Sequence, residues 1–201
     1  MVSVLIHNRG FTSRTKQQTP LRLRICKLQH NDEAAELLGL YIEQIVLGDA
    51  TNREGHAAKV YFNALFDKGF SRSEPNKINA ALNYGYAILL SACNREITAN
   101  GYITQLGIHH DNVYNSFNLG SDFMEPFRPF ADNLVCNMWE EGLLDVFGTK
   151  QKFAVIEVLN MNILFDGKQH VLNHAIGLYC KSVFDALSDG DVSLLKFPKF
   201  I

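Results

Sequence analysis

The sequence lacks the marks of the common nucleotide and redox enzymes. It has no GxxxxGK[ST] stretch, no GxGxxG and no GxSxG. That removes the usual loops for nucleoside triphosphates and dinucleotides, and the familiar serine-hydrolase elbow. Its cysteines, Cys26, Cys93, Cys136 and Cys180, are widely spaced with no CxxC pair. They encode neither a zinc framework nor a dithiol centre and read as small buried hydrophobes in a reducing compartment. No run approaches the roughly 18 apolar residues of a membrane span. The apolar run within Met1–Gly10 is too short for a secretory signal, so the expected location is the cytoplasm. An excess of one charge is missing as well. The formal net charge is −2, and a nucleic-acid surface would have to be a local patch.

What the chain has is helical patterning. Its 201 residues, 47% of them hydrophobic, suffice for one domain with a substantial core. Residues 1–29 read as an N-terminal segment of uncertain character, with a short strand at Val2–Ile6 and a polar linker over Gly10–Pro20. Residues 30–201 read as one mainly α domain of about six to eight helices with little strand. Apolar residues at near-helical spacing run over Leu21–Gln29 and Asp32–Leu47, with Gly48 as the stop. Thr51-Asn-Arg-Glu54 has the form of a capping box ahead of a helix over His56–Phe66. A polar turn, Asp67–Asn76, leads to a long helix over Lys77–Asn100, closed by Gly101. The loop Tyr102–Asn115 enters a helix over Ser116–Glu141 with Leu119, Phe123, Phe127, Phe130, Leu134 and Met138 on its buried stripe. Pro126 removes a ladder donor there and predicts a kink or an irregular turn. Lys152–Leu164 and Val171–Leu187 are further expected helices, separated by a turn at Asp166-Gly167. The tail, Leu194–Ile201, is apolar and basic.

The polar residues suggest chemistry at a few places, each with an ordinary alternative. Glu54 fits the return arm of a capping box as well as it fits a metal ligand. His109 and His110 are adjacent, so their rings point in different directions. An imidazole with carboxylates suits a first-row divalent ion. Asp122 and Glu125 fall outside the apolar stripe, three apart, and read as a solvated helix edge or as two acids able to share a cation. Arg128 sits beside them to neutralise them or to meet a phosphate. His170 and His174 have i, i+4 spacing but lack the glutamate of HExxH. Arg53, Lys59, Arg72, Lys77, Arg95 and Arg128, with tyrosines between them, suit either an ordinary solvated surface or a groove that tracks phosphates.

Three ordered segments, DATNREGHAAKVYFNALF (49–66), NKINAALNYGYAILLSACNREITANGYITQLGIHHDN (76–112) and SFNLGSDFMEPFRPFAD (116–132), resemble the CRISPR-associated spacer integrases, the Cas1 family, in its type II form. The resemblance spans residues 30–201. It implies a prokaryotic metal-dependent DNA endonuclease and integrase that joins the 3′-hydroxyl ends of captured DNA fragments to the ends of CRISPR repeats by transesterification. It also implies manganese or magnesium as cofactor, with double-stranded DNA fragments, repeat DNA, a second copy of the chain and the small protein Cas2 as partners. The family's metal ligands carry over as Glu54, His110 and Glu125. Asp122 and His109 are secondary candidates, and Arg53, Lys59, Arg72 and Arg128 are expected on the DNA side. Members of the family carry a β-rich N-terminal domain that residues 1–20 do not resemble, so a truncated product is expected. A helical remnant that binds DNA or proteins without turnover is the alternative reading, and a general metal-dependent nuclease is a third. Gly120 departs from the better helix formers usual at its position.

Overall fold

The structure, a computed structural model, describes residues 21–22, 24–26, 31–44 and 53–201, with the backbone alone for residues 42–44, 53 and 54. The predicted strand at Val2–Ile6, the linker over residues 10–20, the Gly48 stop and the Thr51 cap lie outside the described residues.

Helical turns at residues 21–22 and 24–26 precede α1 (Asp32–Gln44), α2 (Arg53–Leu65) and α3 (Lys77–Ala99). Then α4 (Asn118–Met124) passes through a 3-10 turn, Glu125–Phe127, into α5 (Arg128–Glu140). The order continues with α6 (Thr149–Ile156), a 3-10 turn (Glu157–Asn160), β1 (Asn162–Phe165), β2 (Lys168–Val171), α7 (Leu172–Asp189) and a final 3-10 turn at Val192–Leu194. The protein is mainly α. No helix among the described residues is long and apolar enough to cross a membrane.

Two helix starts are fixed by asparagine side chains. Asn31 Oδ1 accepts from Ala34 N at 3.1 Å ahead of α1, and Asn76 Oδ1 accepts from Asn79 N at 2.8 Å ahead of α3. Each satisfies a first-turn donor that the helix itself leaves open. The buried face of α1 is Ala34, Ala35 and Leu38, while Leu40, expected on it, is 53% exposed.

The described chain divides into two compact units. One contains residues up to 84 together with 129–155. Its core combines Ala57, Tyr61, Phe62 and Leu65 of α2 with Phe130, Val135 and Cys136 of α5. The α2 positions recur at i, i+4, i+5 and i+8, the stripe of a helix buried on one side. Phe66 meets Phe70 at a tilt, with ring centroids 4.8 Å apart, and Trp139 edge-on at 5.8 Å. The buried Asp132 carboxylate accepts from Tyr61 Oη at 3.1 Å, so that polar pair is carried into the core without an orphaned acceptor.

The other unit contains residues 85–128 and 156–201. Tyr179 of α7 is fully buried and meets Phe123 at 5.8 Å and Phe127 at 5.4 Å, both edge-on. Each fully buried ring contributes about 1.5–3 kcal/mol through removal from water. Helix α4 packs close to α3: a Cβ on Gly120 would lie 2.0 Å from Asn94 Oδ1 and 2.9 Å from Leu90 Cδ1. Gly120 is therefore a close-approach residue, which outweighs the roughly 1 kcal/mol that glycine costs inside a helix.

The break at Pro126 is present as the 3-10 turn Glu125–Phe127 within the predicted Ser116–Glu141 helix. The helix expected over Lys152–Leu164 stops at Ile156, and Asn162–Phe165 is a strand. Asp166 (φ +52°) and Gly167 (φ +75°) form a two-residue hairpin turn that pairs Phe165 with Lys168 and Asn162 with Val171, and such a turn demands antiparallel strands on both sides. Ile163 and Phe165 then alternate into the core at 0% and 3% exposure. The tail extends this hairpin, with backbone hydrogen bonds in both directions between Leu164 and Lys199. Another correction concerns Asp122 and Glu125, expected on a solvated edge. They are 5% and 2% exposed.

Candidate metal centre and DNA-facing groove

The loop between α3 and α4 carries His109 and His110, and three side chains shape it. Thr104 Oγ1 donates to Ser116 O at 2.8 Å, and Thr104 O accepts from Leu119 N at 2.8 Å. Asn118, 4% exposed, donates through Nδ2 to Gln105 O at 3.0 Å and Asn112 O at 2.9 Å, bridging the two arms of the loop. Asp122 then gathers the segment next to His110. Its Oδ2 accepts from Ile108 N at 2.5 Å and His109 N at 3.0 Å, and its Oδ1 accepts from His110 N at 3.1 Å.

The same Oδ1 lies 2.6 Å from His110 Nδ1. A carboxylate only accepts hydrogen bonds, so Nδ1 carries a proton, and in the neutral imidazole the lone pair is then on Nε2. This is the arrangement in which an outer carboxylate orients a metal-binding imidazole. His109 is exposed, and its ring stands at 84° to that of His110 with centroids 6.0 Å apart. The loop can close this tightly because residue 107 is glycine. A Cβ there would sit 2.2 Å from His110 O, 2.9 Å from Asn118 Cβ and 3.0 Å from Asp122 Oδ2.

Glu125 lies one turn beyond Asp122, in the 3-10 turn created by Pro126. Its Oε1 is 3.3 Å from Arg128 Nη2, and the Arg128 guanidinium lies 4.8 Å from the centre of the Tyr86 ring. Of the two roles open to Arg128, the structure places it against the buried acid, where a carboxylate needs an opposing charge. Tyr179 is also fully buried, and its hydroxyl has no hydrogen-bond partner among the described residues. Burial above all, then the nearby Cys180, Cys93, Asp122 and Glu125, pushes the phenol well above its ordinary range.

An imidazole nitrogen and a buried carboxylate form a donor pair that fits a first-row divalent ion. Among the described residues no group of three or more His, Cys, Asp or Glu side chains is arranged to hold a metal. Glu54 is in the first turn of α2, as is Arg53, and the side chains of both lie outside the described residues. The cysteines offer no ligand. All four are buried, and burial raises Cys26 to about 11, Cys136 and Cys180 to about 12, and Cys93 well above its usual value. His170 and His174 have ring centroids 5.2 Å apart, but His170 is in β2 and His174 in α7, so they do not share a helix face as their spacing suggested.

The unit that contains α2 carries an open groove of about 510 Å³ lined by Gly55, Lys59, Phe62, Phe70 and Arg72, among others. It brings together Lys59 and Arg72, two of the expected DNA-side cations. Lys59 is exposed. Arg72 is anchored: it donates to the Asn79 side chain and, at 2.7 Å, to Asn83 Oδ1, and its guanidinium lies 5.5 Å from the centre of the Phe62 ring. Asn79 in turn donates to Ser71 O and Glu74 O and so holds the turn that carries Arg72. No sequence pattern marks Asn79, Thr104 or Asn118. Each is a polar residue whose role exists only once distant backbone segments meet.

Comparison with known proteins bears on the family and the fold. The family model described as CRISPR associated protein Cas1 matches residues 11–160. The CRISPR-associated endonuclease Cas1 of Neisseria meningitidis serogroup C (strain 8013) is 37% identical over 174 residues, covering 85% of this chain and 57% of that protein. A second such endonuclease, from Francisella tularensis subsp. novicida (strain U112), is 32% identical over 145 residues, covering 65% and 46%. Among solved structures, a casposase bound to integration product has a TM-score of 0.68 at 18% identity, covering 94% of this chain and 63% of its own. A Cas1 protein from Thermotoga maritima has a TM-score of 0.65 at 15% identity, covering 87% and 64%. These structural likenesses establish the fold. The chain spans about half the length of the curated relatives it matches. By the extent of the family-model match and the identity to the curated proteins, this chain belongs to the Cas1 family.

Proposed function

We propose that this chain is a metal-dependent DNA strand-transfer enzyme of CRISPR adaptation. In this reading the terminal 3′-hydroxyl of a captured DNA fragment attacks a phosphodiester at the edge of a CRISPR repeat. One P–O bond forms to the incoming oxygen and one breaks to the departing 3′-oxygen, while the attacking hydroxyl gives a proton to solvent and the departing oxygen takes one up. Phosphodiester is exchanged for phosphodiester, so no nucleoside triphosphate is consumed, in keeping with the missing phosphate-binding loop.

Glu54, His110 and Glu125 are the proposed ligands of a manganese or magnesium ion, which when bound supplies charge neutralisation at the phosphate and activation of the attacking oxygen. Asp122 holds Nδ1 of His110 and so presents Nε2. Arg128 balances the Glu125 carboxylate. Lys59 and Arg72, with Arg53, meet phosphates of the bound strand without reading its bases, which suits fragments of varied sequence. Proposed partners are double-stranded DNA fragments, repeat DNA, a second copy of the chain and Cas2. Of the solved structures with this fold, one is titled as a Cas6-RT-Cas1–Cas2 complex, with a TM-score of 0.70.

The observation that carries the reading is His110 held through Nδ1 by Asp122, itself three residues before the buried Glu125, in a chain of this family. The test is a strand-transfer assay with a 3′-hydroxyl fragment and a repeat-bearing target in manganese. Joined product is expected from the native chain, and none from Glu54→Ala, His110→Ala or Glu125→Ala, each still folded by circular dichroism. Binding without product from the native chain would favour the non-catalytic reading, and cutting without preference for repeat ends would favour a general nuclease.

A further inference from the structure

We propose that the tip of the His110 loop, Tyr114 with Val113, stacks on an exposed base of DNA held at the His110 site, an inference that rests on the strand-transfer reading above. Tyr114 is 94% exposed and Val113 89%. Large apolar side chains left this open on the surface mark contact sites when they recur in one segment, and Leu106 and Phe117 on the same loop are exposed too.

The tip is held rather than loose. Tyr114 N donates to Asn112 Oδ1 at 3.0 Å, Asn115 N to Asn112 O at 2.9 Å, and Phe117 N to Asn115 Oδ1 at 2.9 Å. Asn118 and Asp122 fix the base of the loop as described above. A ring displayed on a braced backbone loses little conformational entropy on binding, which is the condition for a useful anchor.

Position and chemistry select the occupant. Four residues separate Tyr114 from His110, so their Cα atoms lie within about 14 Å of each other. Successive phosphates of one strand are about 3.4 Å apart along the duplex axis, so a phosphate reacting at His110 has its neighbours, about four nucleotides in either direction, within reach of the tip. From Asn112 to Phe117 the loop carries no charged side chain, so it offers phosphates no countercharge and bases a flat apolar face. Stacking on an aromatic ring tolerates any base. A protein partner would need far more area: a stable interface covers about 800 Å² per side, whereas one tyrosine supplies about 150–250 Å².

The test uses the full chain and a DNA fragment with a 3′-hydroxyl end and 2-aminopurine within four nucleotides of it. Binding and fluorescence are followed across a salt series. The native chain is expected to bind and to quench the probe. Tyr114→Ala should bind about tenfold more weakly and lose the quench, with an unchanged slope of log affinity against log salt, because stacking releases no counterions. Tyr114→Phe should restore both. His110→Ala should keep the quench while losing strand transfer. If Tyr114→Ala binds and quenches as the native chain does, or impairs only self-association or association with Cas2, the stacking proposal is overturned and the strand-transfer reading stands. If the native chain binds no DNA, both fall.

Discussion

Around His110 the polar side chains are buried and multiply bonded, whereas in the groove of α2 a lysine stands open to solvent. Asp122 accepts three backbone N–H bonds and one from an imidazole while 5% exposed, and Asn118 bridges two arms of a loop while 4% exposed. Lys59, in the groove, is exposed, and Arg72 beside it is braced by asparagine side chains and a phenylalanine ring. Under the proposed function the two regions answer different demands. A group that must meet a reacting atom needs its position over-determined, since small displacements cost large factors in rate. A cation that tracks the backbone of DNA of any sequence gains from reach and hydration instead.

The largest effect expected from breaking this contrast is at His110 itself. His110→Ala should lower strand transfer by about a thousandfold or more, the equivalent of roughly 4 kcal/mol, with the fold retained but about 1–3 kcal/mol of stability lost with the hydrogen bond to buried Asp122. His109→Ala should leave transfer within about twofold, because its ring has no part in the Asp122 network. A loss at His109 equal to that at His110 would erase the distinction between the two rings.

Next comes Asp122→Asn. An amide puts a donor where either two backbone N–H groups or one N–H and the imidazole now find an acceptor, so about 10–100-fold of activity should go, together with about 2–4 kcal/mol of stability in urea unfolding. Nitrogen-15 spectra of the metal-free protein should show His110 protonated at Nδ1 in the native chain and shifted toward the other tautomer in the variant. Unaltered spectra would break the link between the acid and the ring. Gly107→Ala tests the same loop without touching its charge. A Cβ 2.2 Å from a backbone oxygen should cost about 1–3 kcal/mol.

Much of this was readable in the sequence, and the failures share a cause. Period 3.6 marked α2, α3 and α7, and Pro126 marked the break before α5, because those signals are local. The β1–β2 hairpin was missed although its Asp166-Gly167 turn was recognised. Ile163 and Phe165 follow directly on a helical run, and four residues carry too little period to overrule it. At the site, residue types were legible and their surroundings were not. Asp122 lies off the apolar stripe of its helix and so reads as solvated. It is buried by the loop that folds over it from 12 to 14 residues upstream, and no helical wheel contains that loop. Gly120 looked like a poor helix former for the same reason, since Asn94 on the crossing helix is what forbids a side chain there.

Smaller effects are expected in the groove. Lys59→Ala should weaken DNA binding about equally for all sequences and reduce the salt slope by about one, while strand transfer at saturating DNA stays within about twofold. A change in catalysis at saturation would show that the groove, too, is positioned for chemistry. Smallest of all, Lys181→Ala removes an exposed pair with Asp185 at 2.8 Å and should change stability by less than about 0.5 kcal/mol.

The account turns on whether His110 and Glu125, with Glu54, hold one divalent ion, and crystals of the protein soaked in manganese test this most directly. Anomalous scattering should place a single manganese within coordination distance of His110 Nε2 and of carboxylate oxygens of Glu125 and Glu54, with Asp122 still on Nδ1. Manganese found on Asp122 or His109 instead, or none near His110 at saturating concentration, would contradict it.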